Sequence, residues 1–150
     1  KGDAYHLSWQ VPYRPGTLHV KAYRDGGLAA EQTVVTAGRP SGVVLEPDRT
    51  QIAADRMALI HVTARVVDEA GNFCPSADCP LQFHVEGPAE VIGVGNGDPA
   101  SHEPAIAPAR RAFMGLALCI LRPTGQAGTI LLQGESDGLE AGRACIDASG

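Results

Sequence analysis

Three observations predict an all-β protein: an immunoglobulin-like antiparallel β-sandwich preceded by a three-stranded fragment of a second β-domain. Apolar and polar residues alternate with period two in nearly every segment. Turn-permitting residues punctuate those segments, with 18 Gly and 11 Pro among 150 residues. No window sustains a 3.6-residue apolar period with caps at both ends.

Residues 1–38 read as a unit of their own. Leu7, Trp9 and Val11 alternate with His6, Ser8 and Gln10, which predicts a first strand with Trp9 on its buried face. Pro12-Tyr13-Arg14-Pro15-Gly16 turns the chain, and Leu18, Val20 and Ala22 then alternate with His19 and Lys21. Asp25-Gly26-Gly27 predicts a tight hairpin turn into a third strand around residues 29–36. Three strands are marginal alone, so this segment is expected to complete a sheet whose other strands lie outside it. Its open edge is expected to be covered by the sandwich or by a second copy of the chain. Residues 39–42, Arg-Pro-Ser-Gly, form the linker.

The sandwich is expected over residues 43–148. Val43–Leu45 is a first apolar run, and Ala58, Ile60, Val62, Ala64 and Val66 alternate with His61, Thr63 and Arg65. Leu81, Phe83 and Val85 alternate with Gln82, His84 and Glu86. After a run at 91–94, one long strand is expected with Ala112, Met114, Leu116, Leu118 and Ile120 on one face. Its other face would carry Arg111, Phe113, Gly115, Ala117 and Cys119. Ile130 and Leu132 face one way, Thr129 and Gln133 the other, and a last run covers 142–146. About seven short strands sharing an apolar layer is the immunoglobulin-like signature, here without the Cys…Trp…Cys spacing of antibody domains.

Composition narrows the function. At 44% hydrophobic residues the chain can bury a core, which excludes an acidic disordered tail or a low-complexity linker. The run from Phe113 to Leu121 is about half of what a membrane helix needs, so no membrane partner is expected. Only two lysines occur and the formal charge is -5, which argues against nucleic acid. Lys1 is preceded by neither an initiator Met nor a targeting segment, so the sequence is expected to be a piece of a longer chain.

Cys74 and Cys79 form a C-x4-C with no second pair at zinc spacing, so no metal site is expected. A short loop disulfide between them is the alternative in an oxidising compartment. Cys119 and Cys145 read as small buried hydrophobes. His6, His19, His61 and His84 fall on outward strand faces without partners at metal spacing, so they read as solvated.

The densest polar cluster is the loop from Asn96 to Pro104, with Asn96, Asp98, Ser101, His102 and Glu103. One reading is structural: Asn96-Gly97 supplies a turn, Asp98 and Ser101 bond free amides, and prolines fix the path into an interdomain contact. The other is contact with a sugar or a cation through Asp98 and Glu103. A paired-carboxylate hydrolase would need a cleft and a carboxyl of raised pKa, which a loop on a sandwich does not supply, so no catalytic residue is assigned. Tyr13 and Tyr23 are the exposed aromatic candidates for stacking on a sugar, and no cofactor is expected.

In order along the chain, W-x-V-P-Y-x-P-G-T-L from Trp9, A-Y-x-D-G from Ala22 and V-x-T-A-G-x-P from Val34 come first. D-R-x-x-I-x-A-D from Asp48, V-G-N-G-D-P-x-S-H-E-P from Val94 and R-x-A-F-x-G-L from Arg110 or Arg111 follow. In this order the motifs resemble the C-terminal accessory region of bacterial glycoside hydrolase family 2 enzymes, chiefly β-galactosidases, over essentially all 150 residues. One departure is that Asp55 is followed by Arg56 and Met57 where the pattern continues A-D-G. The resemblance implies that residues 1–38 are the C-terminal half of a preceding small β-domain and that residues 41–148 are a final domain similar to the Ig-like modules of invasins. It also implies a parent that hydrolyses terminal β-galactosides with retention, through two glutamates on a TIM barrel upstream of Lys1.

β-Glucuronidase and β-mannosidase relatives remain alternatives for that parent, and a periplasmic or secreted location is implied rather than a cytoplasmic one. The expected role is non-catalytic support of the barrel, or of an oligomer such as a homodimer through the N-terminal strands. A carbohydrate-binding module is the second reading. A surface-adhesin Ig-like module is the third, and it predicts tandem repeats, which the sequence lacks.

Overall fold

A computed structural model describes residues 7–150, so His6 lies outside the described residues. The chain divides into two compact units between Thr36 and Ala37.

In the first unit, β1 (Thr17–Arg24) and β2 (Gly27–Val35) form an antiparallel hairpin. Asp25 and Gly26 both take positive φ, 51° and 80°, as a two-residue turn matched to strand twist requires. Leu18 pairs with Val34 and Ala22 with Ala30 on one face, while His19, Lys21 and Glu31 occupy the other. The expected first strand does not form over residues 7–16, so the described part of this unit has two strands instead of three. Residues 7–11 have no described strand to pair with, and Pro12 and Pro15, which lack a ladder donor, keep the residues that follow out of a sheet. Trp9 is accordingly 66% exposed and not buried.

The second unit is a sandwich of two sheets. Its strands are β3 (Pro40–Pro47), β4 (Gln51–Ala53), β5 (Ile60–Asp68), β6 (Pro80–Glu86), β7 (Ala89–Gly95), β8 (Ala109–Arg111), β9 (Leu116–Pro123), β10 (Gly128–Glu135) and β11 (Gly142–Ser149). Four strands pair in the order β3-β5-β9-β7 and five in the order β4-β11-β10-β6-β8. All ladders are antiparallel except β4 with β11. The inward side chains alternate as the period-two pattern dictates: Ile60, Val62, Ala64 and Val66 from one sheet meet Leu81, Phe83, Ile130, Leu132 and Ile146 from the other. Gly142 lets β11 come close to β3, since a Cβ there would lie 2.5 Å from the Val43 carbonyl oxygen.

The long strand expected through residues 111–120 is broken. Phe113 and Leu116 bond each other across Met114 and Gly115, whose φ angles of 50° and 78° make a tight reversal. That turn shifts the side-chain parity by one, so Ala117, Cys119 and Leu121 of β9 face the core. Met114 is 61% exposed, and Leu116, Leu118 and Ile120 lie outside the buried set. Only Gly fits at 115, where a Cβ would collide with the Cys74 carbonyl.

All four thiols are free. Cys119 is buried as expected, whereas Cys145 is exposed, because β11 turns Ala144 and Ile146 inward and odd positions outward. Cys74 is also buried, and its thiol lies near the carbonyl oxygens of Gly38 and Asn72.

Candidate functional site

The loop that follows β7 crosses from the edge of the four-stranded sheet to β8 at the edge of the five-stranded sheet. Both rims are pinned to it: Val94 N–H donates to the Ala105 carbonyl at 2.7 Å, and Phe83 N–H to the Pro108 carbonyl at 2.7 Å. Gly97, at φ 76°, makes the first bend. Asn96 Oδ1 then accepts the Asp98 N–H at 3.0 Å, and Asp98 Oδ1 the Ala100 N–H at 2.9 Å. These are Asx turns, in which a short side chain takes the place of a missing backbone acceptor. The Ser101 hydroxyl accepts the Glu103 N–H at 3.4 Å and donates to Glu103 Oε2 at 3.3 Å.

At the centre is a residue that the sequence did not single out for this role. Arg110 is only 8% exposed and lies on β8 opposite Leu81. It donates from Nη1 to the Glu103 carbonyl at 2.9 Å and from Nη2 to Asn96 Oδ1 at 3.0 Å. Its Nε stands 3.7 Å from Glu103 Oε2, within ion-pair reach but without a hydrogen bond. The Glu103 carboxylate also accepts the Arg111 N–H at 3.2 Å, and Asn96 Nδ2 donates to the Arg111 carbonyl at 2.9 Å. Arg110 was legible by parity, since it shares the inward phase of Ala112 in Ala109-Arg110-Arg111-Ala112.

The structure therefore brings Asn96, Asp98, Ser101 and Glu103 together, with their polar atoms directed at one another and at the backbone. His102 is exposed and makes no hydrogen bond among the described residues. No group of three or more His, Cys, Asp or Glu among the described residues is placed to hold a metal ion. Tyr13 and Tyr23 are both exposed in the first unit, Tyr13 between two prolines and Tyr23 on β1 opposite Leu28. The outward histidines among the described residues, His19, His61 and His84, are exposed as expected, yet each has an acid beside it. His19 lies 3.1 Å from Glu31, His84 2.9 Å from Glu135, and His61 3.7 Å from Asp48.

A second hub escaped sequence reading. Asp68, 7% exposed, occupies the inward phase that follows Val66 on β5. It accepts the N–H of Gly38 at 2.7 Å, of Ala70 at 3.0 Å and of Asn72 at 2.8 Å, and the Asn72 side-chain amide at 3.1 Å. Those donors, Gly38 first, hold its carboxyl below the ordinary value against the opposing effect of burial.

Residues 43–144 match the model of the glycoside hydrolase family 2 C-terminal domain 5. The chain belongs to glycoside hydrolase family 2. Residues 1–30 of this family 2 chain match a domain of unknown function, DUF4982. A β-galactosidase of Bacteroides ovatus, BoGH2A, is 40% identical over 91% of the chain. The crystal structure of a β-glycosidase from Bacteroides vulgatus superposes with a TM-score of 0.90 at 28% identity over 93% of the chain. That of a family 2 member from Bacteroides cellulosilyticus gives 0.88 at 32% over 96%. The chain spans 16% of the B. ovatus protein and 18% and 19% of the two crystallised chains. It corresponds to the C-terminal region of β-galactosidase-like proteins.

Proposed function

We propose that this chain is a non-catalytic accessory region of a β-galactosidase that hydrolyses terminal β-galactosides, and that it supports the catalytic barrel as a structural and interdomain element. The observation that carries this reading is the loop at residues 96–104. Asn96, Asp98, Ser101 and Glu103 use their hydrogen bonds to brace the loop on itself and on buried Arg110, as a shaped contact surface for a neighbouring domain requires. The B. ovatus relative, a β-galactosidase, supports the choice of parent activity. The hairpin at residues 17–35 fits the same reading as part of a preceding small β-domain, since every residue of β1 and β2 is exposed and a lone hairpin is marginal.

The test has two readouts. The purified 150-residue chain, assayed with p-nitrophenyl β-galactoside, is expected to give no turnover. Turnover that Asp98→Asn or Glu103→Gln abolishes would overturn the reading. In the intact hydrolase, Arg110→Met is expected to lower the temperature of inactivation with kcat/KM for the same substrate unchanged. A lowered kcat/KM with unchanged heat inactivation would place the loop in the chemistry instead.

A further inference from the structure

We infer that Asn96 is a self-modifying residue: the backbone nitrogen of Gly97 attacks its side-chain amide, ammonia leaves, and water is the only co-reactant. The chain has two asparagines, Asn72 and Asn96, and only Asn96 precedes a glycine. Gly97 is exposed with open space where a Cβ would stand, and its N–H has no acceptor among the described residues. Water therefore reaches that nitrogen and can take its proton. The Asx turn to the Asp98 N–H folds the Asn96 side chain back over the Gly97 peptide, which brings amide and nucleophile together.

Three bonds fix the orientation of the Asn96 amide and polarise it in the sense that attack requires. Its Oδ1 accepts from the Asp98 N–H at 3.0 Å and from Arg110 Nη2 at 3.0 Å. Those are oxyanion-hole distances, and buried Arg110 holds a positive charge in place where negative charge develops. Nδ2 faces the Arg111 carbonyl at 2.9 Å, an acceptor for the ammonium-like group that forms as this nitrogen is protonated. Asn72 has the opposite surroundings: its amide nitrogen donates to Asp68 Oδ2 at 3.1 Å, and that carboxylate opposes charge on the amide oxygen.

In the step, Gly97 N passes its proton to water and bonds to Asn96 Cγ, and the Cγ–Nδ2 bond breaks as ammonia departs with a proton from water. Water then opens the cyclic imide at either carbonyl, leaving aspartate or isoaspartate at position 96; nothing is oxidised or reduced. Both products lose the Nδ2–H donor and set an oxygen against the Arg111 carbonyl, and the isoaspartate also adds a carbon to the backbone at the bend. The 96–104 loop is thereby loosened once and irreversibly. This chemistry belongs to the loop itself, so it neither rests on the support role nor falls with it.

The test is incubation of the folded 150-residue chain at pH 8, with peptide-mapping mass spectrometry and an ammonia assay, beside a synthetic peptide of residues 92–101. Conversion at position 96 is expected about tenfold faster in the folded chain than in the peptide, with Asn72 unchanged. Tenfold is below the roughly 10²–10³-fold of a water-excluded oxyanion donor because Asn96 is half-buried. Arg110→Met removes the guanidinium and loosens the loop, so its rate should fall to that of the peptide. Hydrogen exchange at Ala100 should quicken in the aged chain, and Asn96→Asp should reproduce that change. Three outcomes would overturn the inference: a folded-chain rate no greater than the peptide's, a faster rate in Arg110→Met, or equal conversion of Asn72. The first two would mark Arg110 as a clamp that protects the amide, and the first needs no variant to fold.

Discussion

Replacing Arg110 by Met tests whether the 96–104 loop is held by one buried guanidinium. Methionine keeps the volume and loses two charge-assisted hydrogen bonds, to the Glu103 carbonyl and to Asn96 Oδ1. Bonds of this kind contribute about 1.5–3 kcal/mol each. Two terms reduce the loss: Asn96 Oδ1 keeps the Asp98 N–H, and the unpartnered Arg110 Nε no longer has to be desolvated. The lower bound for both bonds, about 3 kcal/mol, is therefore the better figure. Unfolding entropy near 2.1 cal/mol/K per residue makes 1 kcal/mol worth about 4 °C for a unit of this size, so Tm should fall by roughly 12 °C. Calorimetry of both chains measures it, and hydrogen exchange at Ala100, Ser101 and Glu103 should quicken in the variant. Arg110→Lys, with one point charge for two acceptors, should retain about half of that contribution. A Tm for Arg110→Met within about 2 °C of the parent chain would refute the reasoning.

Gly142→Ala should destabilise the sandwich by about 1–3 kcal/mol, because the new Cβ forces β11 away from the Val43 carbonyl; denaturant titration would show it as a lower midpoint. Burial pushes the Cys119 thiol up to about 12 and raises that of Cys74 as well, so neither should react with a disulfide reagent at pH 8 in the folded state. Exposed Cys145 should account for the fast phase, which Cys145→Ser should abolish. Asp68 supplies a pH signature. Its folded-state pKa is depressed, so its contribution is fully present above the unfolded value of about 4 and is lost as pH falls through the lower, folded one. Asp68→Asn should lower Tm at pH 7, and the gap from the parent chain should narrow by pH 3; a constant gap would remove Asp68 from the account.

Period two was enough to place most of the sandwich strands, because half-buried strands must alternate to present one face to the core. It failed where a turn hid inside an unbroken apolar run. Nothing in Phe113-Met114-Gly115-Leu116 except a single Gly distinguishes a reversal from a continuing strand, and the parity of β9 followed the wrong choice. The first unit misled for the opposite reason: Leu7, Trp9 and Val11 alternate correctly and keep all their donors, but a strand also needs a partner, and no described strand pairs with this segment. For the loop, the turn roles of Asn96, Asp98 and Ser101 followed from side-chain chemistry alone. The two hubs, Arg110 and Asp68, went unnoticed although each continues an inward phase, because a charged residue at an inward position reads as the end of a pattern and not as its most committed member.

The parallel pairing of β4 with β11 sets a condition on the order of assembly. Ile52 is buried and pairs with Ala148, and β11 also closes the ladder of β10 at Ile130 and Leu132. On a ribosome, β4 emerges early and waits through nearly the whole synthesis of the unit for its neighbour. Contacts so distant along the chain form late and slowly, and an unfilled lane between two sheet strands is where a foreign strand can enter. Sandwich closure is therefore tied to the arrival of residues 142–149, and nascent chains stalled before that point are the form of this protein most exposed to capture by chaperones or by one another.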